Sequence, residues 1–338
     1  MKLDRDLKLG FDGDMEGMVN EEEGKTLGCE DDTTDLKRGY DGLLEVIRKY
    51  GLDKKPKEIV RDSGGDDQSS TDDGSDCVES LPDFDLVEKM NPSQWQIDYH
   101  FTLCSRLGLF CYNFQKGTDY NFEFLHKTYT NSEEVSILKF LIITEASMSP
   151  SDSSPLRFET LIYFPDGRIE GGGLWWETTV CRVKGSKEAD HEWDNEAIHE
   201  WYKGELPKWL SDDDNHQHCY VVQESELLDN DNWWLHLFSE FAFYTKWYEN
   251  LGPSEVADSL PLVTQKVIVE TRGEAEREPR EKLKAANAVF YISFVCGDDP
   301  LTREVTSYRA VVRKTMDGKP GHMRLEVNCW EHLTDPRR

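Results

Sequence analysis

Residues 11–23 read FDGDMEGMVNEEE. Asp12, Asp14 and Glu16 stand at the first, third and fifth positions of an EF-hand calcium loop. Gly17 takes the sixth, where the chain must turn, and Glu23 the twelfth, where a bidentate carboxylate closes the site. Such a loop needs a helix on each side. Only eleven residues precede it, and Gly24 and Gly28 weaken any helix behind it. The second acidic stretch, SDDDNHQH (211–218), has no glycine at the turn position, so no paired hand is present. An acidic segment produces these spacings by composition, and the flanks weigh against calcium. His216, His218 and Cys219, with His191 and His199 upstream, are zinc-ligand types. They lack the paired spacing of structural zinc sites, and Asp212–Asp214 mark a solvated loop. Cys104 and Cys111 lie one heptad apart on an apolar helix face, which reads as core rather than nucleophile. Gly171–Gly173 precede a strand, so they offer no helix N-terminus to a phosphate and read as a bulge or bend. No nucleophile elbow, P-loop or dinucleotide fingerprint occurs. The expectation is a protein without catalytic residues, cofactor or metal.

Charge narrows the partners. The 338 residues carry a net charge of -28, which repels phosphate backbones and disfavours direct nucleic-acid binding. Protein partners are expected instead. No apolar run approaches the ~20 residues of a membrane helix, and the charged opening MKLDRDLKLGFDGD does not read as a signal peptide. The eight cysteines form no C-x-x-C pair or dense framework, which suits reduced thiols in nucleus or cytoplasm. Lys54, Lys55 and Lys57, around Pro56, could serve as a nuclear-import signal, so the nucleus is expected, with the cytoplasm as the alternative.

The elements follow from periodicity. Residues 1–88 read as an acidic, mostly disordered tail: 26 acidic against 13 basic residues fall within 1–90, and RDSGGDDQSSTDDGSD (61–76) has no apolar content to bury. One island interrupts it, YDGLLEVIRKYGL (40–52). Leu43, Leu44, Ile47 and Tyr50 share a helix face there, which suits either a short helix docked on the core or a partner-binding segment. From about residue 89 aromatics become dense. Ser93 and Gln96 form a capping box for a helix that carries Ile97, Phe101, Cys104, Gly108 and Cys111 on one face. Leu103, Leu107, Phe110 and Phe114 lie on the next face, and Gly117 stops the helix. Strand-like runs follow at 120–129, 135–146, 156–164 and 174–183, with a turn at Pro165-Asp166-Gly167. An acidic, tryptophan-containing connector spans 185–230, read as partly ordered and packed through Trp193, Trp201 and Trp209. The pattern then recurs. A helix capped by Asp231 or Asn232 buries Trp234, Leu237, Phe238, Phe241, Tyr244 and Tyr248 and ends at Gly252-Pro253. Runs at 262–271, 288–296, 304–314 and 322–330 come after it, with a turn at Asp317-Gly318. The expected fold is α+β: two cystatin/monellin-like units, at 89–184 and 231–332, each a helix on a four-strand antiparallel sheet.

That topology raises inhibition of papain-type cysteine proteases as the alternative function. Gln265-Lys266-Val267 begins a Q-x-V-x-G hairpin, but Val269 replaces its glycine, and Pro207 and Trp209 are split by Lys208. The inhibitory wedge is not visible, and fold alone does not imply function.

GLFCYNFQKGTDYNFEF (108–124), ELPKW (205–209), AANAVFYISF (285–294) and VVRKTMDGKPGHMRLEV (311–327) resemble the "male sterility five"-like family of mustard-family plants. The resemblance covers about residues 90–330. It implies a cystatin/monellin-like fold and no catalytic residues. It also implies a role in plant reproduction, with early male meiosis and pollen fertility as the expected setting and protein–protein interaction as the mode of action. Docking would use sheet edges, the 40–52 helix or exposed connector tryptophans.

Overall fold

A computed structural model describes residues 88–89, 99–131, 137–149, 154–165, 174–186, 192–210, 218–248, 250–272 and 278–332. The chain divides into two compact units, Met1–Gly39 and Tyr40–Arg338, and every described residue belongs to the second. The strands are β1 (Glu88–Lys89), β2 (Asn121–Asn131), β3 (Ile137–Ser147), β4 (Leu156–Pro165) and β5 (Leu174–Val183), then β6 (Cys219–Val221), β7 (Leu262–Glu270), β8 (Ala288–Cys296), β9 (Thr306–Thr315) and β10 (Met323–Glu331). The helices are α1 (Tyr99–Lys116), α2 (Glu224–Leu227), α3 (Trp234–Trp247) and α4 (Pro253–Asp258).

All ten strands form one antiparallel sheet in the order β1-β2-β3-β4-β5-β10-β9-β8-β7-β6. Each half is an edge strand followed in the chain by a helix and a four-strand meander. The halves join where Leu325 of β10 pairs with Trp176 of β5. The eight long strands fall on the eight runs read from the sequence. β8 is apolar almost throughout and buried along its length, because both of its faces are covered.

One large core lies between the sheet and the two long helices. Phe101, Leu107 and Phe110 of α1, Leu237, Phe238 and Phe241 of α3, and Ile162, Trp176, Phe290 and Leu325 of the sheet are all 4 % exposed or less and belong to it. Phe110 stacks on Trp234, so the halves share this core. Gly108 lets α1 approach β4 closely, since a Cβ there would strike the Thr160 side chain. Gly117 ends α1 at φ +64. Asn113 shapes the turn that follows: its amide donates to Tyr120 O, and its side-chain oxygen accepts from Tyr120 N and the Thr118 hydroxyl.

Several expectations are corrected. Both long helices, α1 and α3, are buried almost all round. Arg106 of α1 is 6 % exposed because α3 brings Glu240 against it. Neither Asp231 nor Asn232 caps α3; they lie in a short 3-10 turn capped by Asp229, and Trp233 precedes the helix. Gly252-Pro253 does not end α3, which stops at Trp247, but starts α4. Tyr248 is 41 % exposed rather than buried. Cys219–Val221, within the stretch read as a connector, form edge strand β6. Ser93, Gln96, Ile97, the Asp166-Gly167 turn and Gly171–Gly173 lie outside the described residues.

Candidate functional site

The four motifs that carried the family resemblance meet in space at the β9–β10 hairpin. Lys314, at the end of β9, is fully buried. Its ammonium donates to Ala285 O at 2.8 Å and sits 3.4 Å from the centre of the Phe114 ring. A carbonyl and an aromatic face together stabilise a cation that burial alone would expel. Asn287 then accepts from Met316 N at 2.7 Å. Asp317 organises the turn. One of its oxygens accepts from Lys319 N, the other from Asp194 N and from His322 Nδ1 at 2.8 Å. That acceptor fixes the proton on Nδ1 of His322, which lies stacked on Trp193. Gln115, in the last turn of α1, reaches the hairpin from the other side. Its amide donates to His322 O and its oxygen accepts from Gly321 N.

Gly321 has φ +78, and a Cβ there would lie 2.6 Å from the backbone nitrogen of Cys181. Gly321→Ala is therefore expected to destabilise the fold by about 2–3 kcal/mol, from backbone strain and the forced separation of β5 from the hairpin. Urea unfolding of the two proteins checks it: an unchanged midpoint would mean the hairpin can shift freely.

Residues 192–210 form a strap across the sheet face opposite the helices. Three of its tryptophans are each paired with an arginine: Trp193 with Arg324 at 4.4 Å, Trp201 with Arg272 at 5.3 Å and Trp209 with Arg309 at 4.7 Å. Arg313 donates to Gly204 O and Glu205 O, fastening the ELPKW segment. The connector tryptophans are thus half-buried against the sheet, with Ile198 and Tyr202 beneath, rather than displayed for docking.

The same sheet face carries a feature the sequence did not disclose. Four Glu–Arg pairs stand directly opposite each other on neighbouring strands of this face: Glu145–Arg157, Glu159–Arg182, Glu177–Arg324 and Glu326–Arg313. Their separations are 2.9, 3.1, 2.6 and 2.6 Å. Opposite charges directly across a strand pair stabilise its register. The ladder therefore ties β3, β4, β5, β10 and β9 together, including the seam between the halves.

Chemistry-bearing residues from the sequence fare as follows. Cys104 and Cys111 are buried in the core. Burial, with Cys181 beside it, pushes the Cys111 thiol well above its ordinary range, away from the thiolate form. His199 caps a short turn through Trp201 N, and Cys219 lies half-buried on β6. His191 and His216 lie outside the described residues. Among the described residues no three His, Cys, Asp or Glu groups could hold a metal ion. No described helix is long and apolar enough to cross a membrane. Lys266 and Val267 lie inside β7 beside a bulge at Gln265, Val269 is fully buried, and Trp209 packs on Tyr291. The calcium-loop residues Asp12, Asp14, Glu16 and Glu23, the segment bearing Leu43, Leu44, Ile47 and Tyr50, and the basic cluster Lys54, Lys55 and Lys57 all lie outside the described residues.

The fold and this bracing define a class: an α+β protein with one continuous antiparallel sheet, two helices on one face and a tryptophan strap on half of the other. A family model described as "Protein MS5" matches residues 206–325, which run from the strap into β10. The UPF0725 protein At4g28920 of Arabidopsis thaliana is 36% identical over 249 residues, covering 70% of this chain and 78% of its own. A second Arabidopsis thaliana relative, UPF0725 protein At3g44770, is 35% identical over 235 residues, covering 68% and 69%. The crystal structure of MS5 from Brassica napus aligns with a TM-score of 0.51 at 25% identity, covering 69% of this chain and 97% of that one. The chain belongs to the MS5 (UPF0725) family of plant proteins.

Proposed function

We propose that the protein is a non-catalytic interaction factor in plant reproductive development, acting in the nucleus in support of early male meiosis. Each half of the sheet, with its helix, serves as a cystatin/monellin-like unit. The reproductive setting rests on the resemblance to the male-sterility family. The mode of action rests on one structural observation, the loop between β8 and β9. Leu301 and Val305 are 63% and 72% exposed there, on a loop that is otherwise held firmly. Asp299, 2 % exposed, accepts from Leu301 N, Thr302 N, the Thr302 hydroxyl and the Tyr308 hydroxyl. Burial alone would raise the Asp299 pKa, but these donated bonds hold it below the ordinary value. An apolar pair on a pre-ordered loop can dock a protein partner at low entropic cost.

Affinity purification of the full chain from young flower buds tests this reading. Nuclear-envelope, telomere or chromosome-axis proteins are expected to co-purify, and Leu301→Asp/Val305→Asp should lose them. Equal recovery by the variant would remove the loop from the interface. Capture of papain-type proteases instead would favour the inhibitor function.

A further inference from the structure

Every other described arginine is paired with a carboxylate, the most distant at 3.8 Å, but Arg309 of β9 is not. Among the described residues it makes no hydrogen bond or ion pair. Its guanidinium sits over the Trp209 ring, 4.7 Å from the ring centre. Trp209 in turn meets Trp330 edge-on at 6.0 Å, and Trp330 is the cross-strand neighbour of Arg309. The Arg309 Nε is sealed from water and has no hydrogen-bond partner. The cation is thus partly desolvated and fixed in place without a counter-charge, which costs free energy until an acceptor arrives. Burial, and then the Arg309 charge, lowers the His332 pKa, so the uncompensated field reaches a neighbouring side chain.

The surroundings supply further donors and no acid. Lys266, Ser293, Arg309 and Trp330 stand side by side on β7, β8, β9 and β10. The next row holds Val295 and Ser307, and the His332 amide donates to Ser307 O. Lys266 is exposed, and Ser293 and Ser307 are half-buried. Neighbouring strands lie about 4.8 Å apart, so the Lys266 ammonium and the Arg309 fork can converge over Ser293. Glu331, next to His332 in the chain, lies on the opposite face, where it meets Lys246 of α3.

We infer that this corner of the sheet binds a phosphate monoester group, with Arg309 and Lys266 as its two cations and the Ser293 and Ser307 hydroxyls as further donors. Two cations match a dianion, and donors from three strands suit tetrahedral oxygens. A carboxylate would be served by the arginine fork alone. The net charge of -28 resists a polyanionic backbone, whereas a single group seated between two cations is balanced locally. The same chemistry recognises a free phosphorylated molecule and a phosphoserine or phosphothreonine of a protein.

This inference does not depend on the function proposed above. Its test titrates the isotope-labelled full chain with inorganic phosphate, capped phosphoserine, capped serine and acetate, following the Arg309 Nε–H and the Trp209 and Trp330 indole signals by NMR. Saturable shifts are expected with the two phosphates and not with serine or acetate. Equal affinity for both phosphates supports a site for a free ligand; tighter binding of capped phosphoserine supports a protein-borne one. Arg309→Gln should weaken binding by about tenfold or more. Lys266→Glu, at an exposed position, should weaken it several-fold with the fold intact, and it decides the matter should Arg309→Gln unfold. No saturable shift with either phosphate, binding of acetate as tight as that of phosphate, or unchanged affinity in a folded variant overturns the inference.

Discussion

Replacing Glu240 by alanine is expected to cost about 3–5 kcal/mol of stability, because it strands a buried guanidinium. Arg106 and Glu240 come from helices α1 and α3, each under a tenth exposed, and meet through two hydrogen bonds of 2.6 and 3.2 Å. The Tyr99 hydroxyl donates to the same carboxylate at 2.9 Å. Burial alone would lower the Arg106 pKa; the neighbouring carboxylate and its hydrogen bonds more than reverse this. Removing the carboxylate leaves the desolvation uncompensated. Removing both charges should not, so Arg106→Met/Glu240→Leu is expected to recover most of the loss. Urea midpoints of the single and double variants check this. Equal destabilisation in both would show that the pair contributes shape rather than charge.

The second large effect is acid sensitivity. Burial lowers His100 from 6.5 to about 4, and it packs between Phe101, Phe140 and Tyr244. Its neutral form is therefore favoured in the folded state, while the unfolded chain takes up the proton near pH 6.5. Stability is whole above that pH and falls as pH drops toward 4, by about 3 kcal/mol for this group. His236 acts with the same sign. Burial lowers it, only partly offset by the Leu227 carbonyl and Glu240. Chemical denaturation at several pH values from 7 to 4 should show the decline, and His100→Phe, which keeps the aromatic packing, should remove part of the slope. An unaltered slope in that variant would place the lability elsewhere.

The eight long strands were legible because each is a compact apolar or alternating run between turn signals, and edges such as Leu156 and Leu174 could be read directly; the short edge strands β1 and β6 were not. What escaped the sequence is what depends on partners far along the chain. Nothing near Arg106 in the sequence marks it as buried, because its acid lies 134 positions away. Lys314 looked like an ordinary strand lysine until Phe114 and Ala285 surrounded it. The Glu–Arg ladder needs the β5–β10 register, which no local signal encodes. For the candidate site, the motif residues were visible as a resemblance. Their convergence was not, because Gln115, Asn287 and His322 are brought together only by the completed sheet and the helix packed on it. The missed signal was the density of turn-forming and buried-polar residues in KTMDGKPGHM, which marks a braced hairpin.

The palindromic strand order has a consequence for synthesis. β10, the last strand in the sequence, occupies the middle of the sheet, between β5 and β9. While a ribosome is still making the chain, the first half can complete its meander, yet β5 then presents a long unpaired edge, and so later does β9. Both edges wait for the same nine-residue strand. Exposed edges of this kind recruit other strands. The interval before β10 emerges is thus when this protein most needs a chaperone, and a premature stop codon just ahead of Met323 would be far more damaging than the loss of a peripheral strand of equal length.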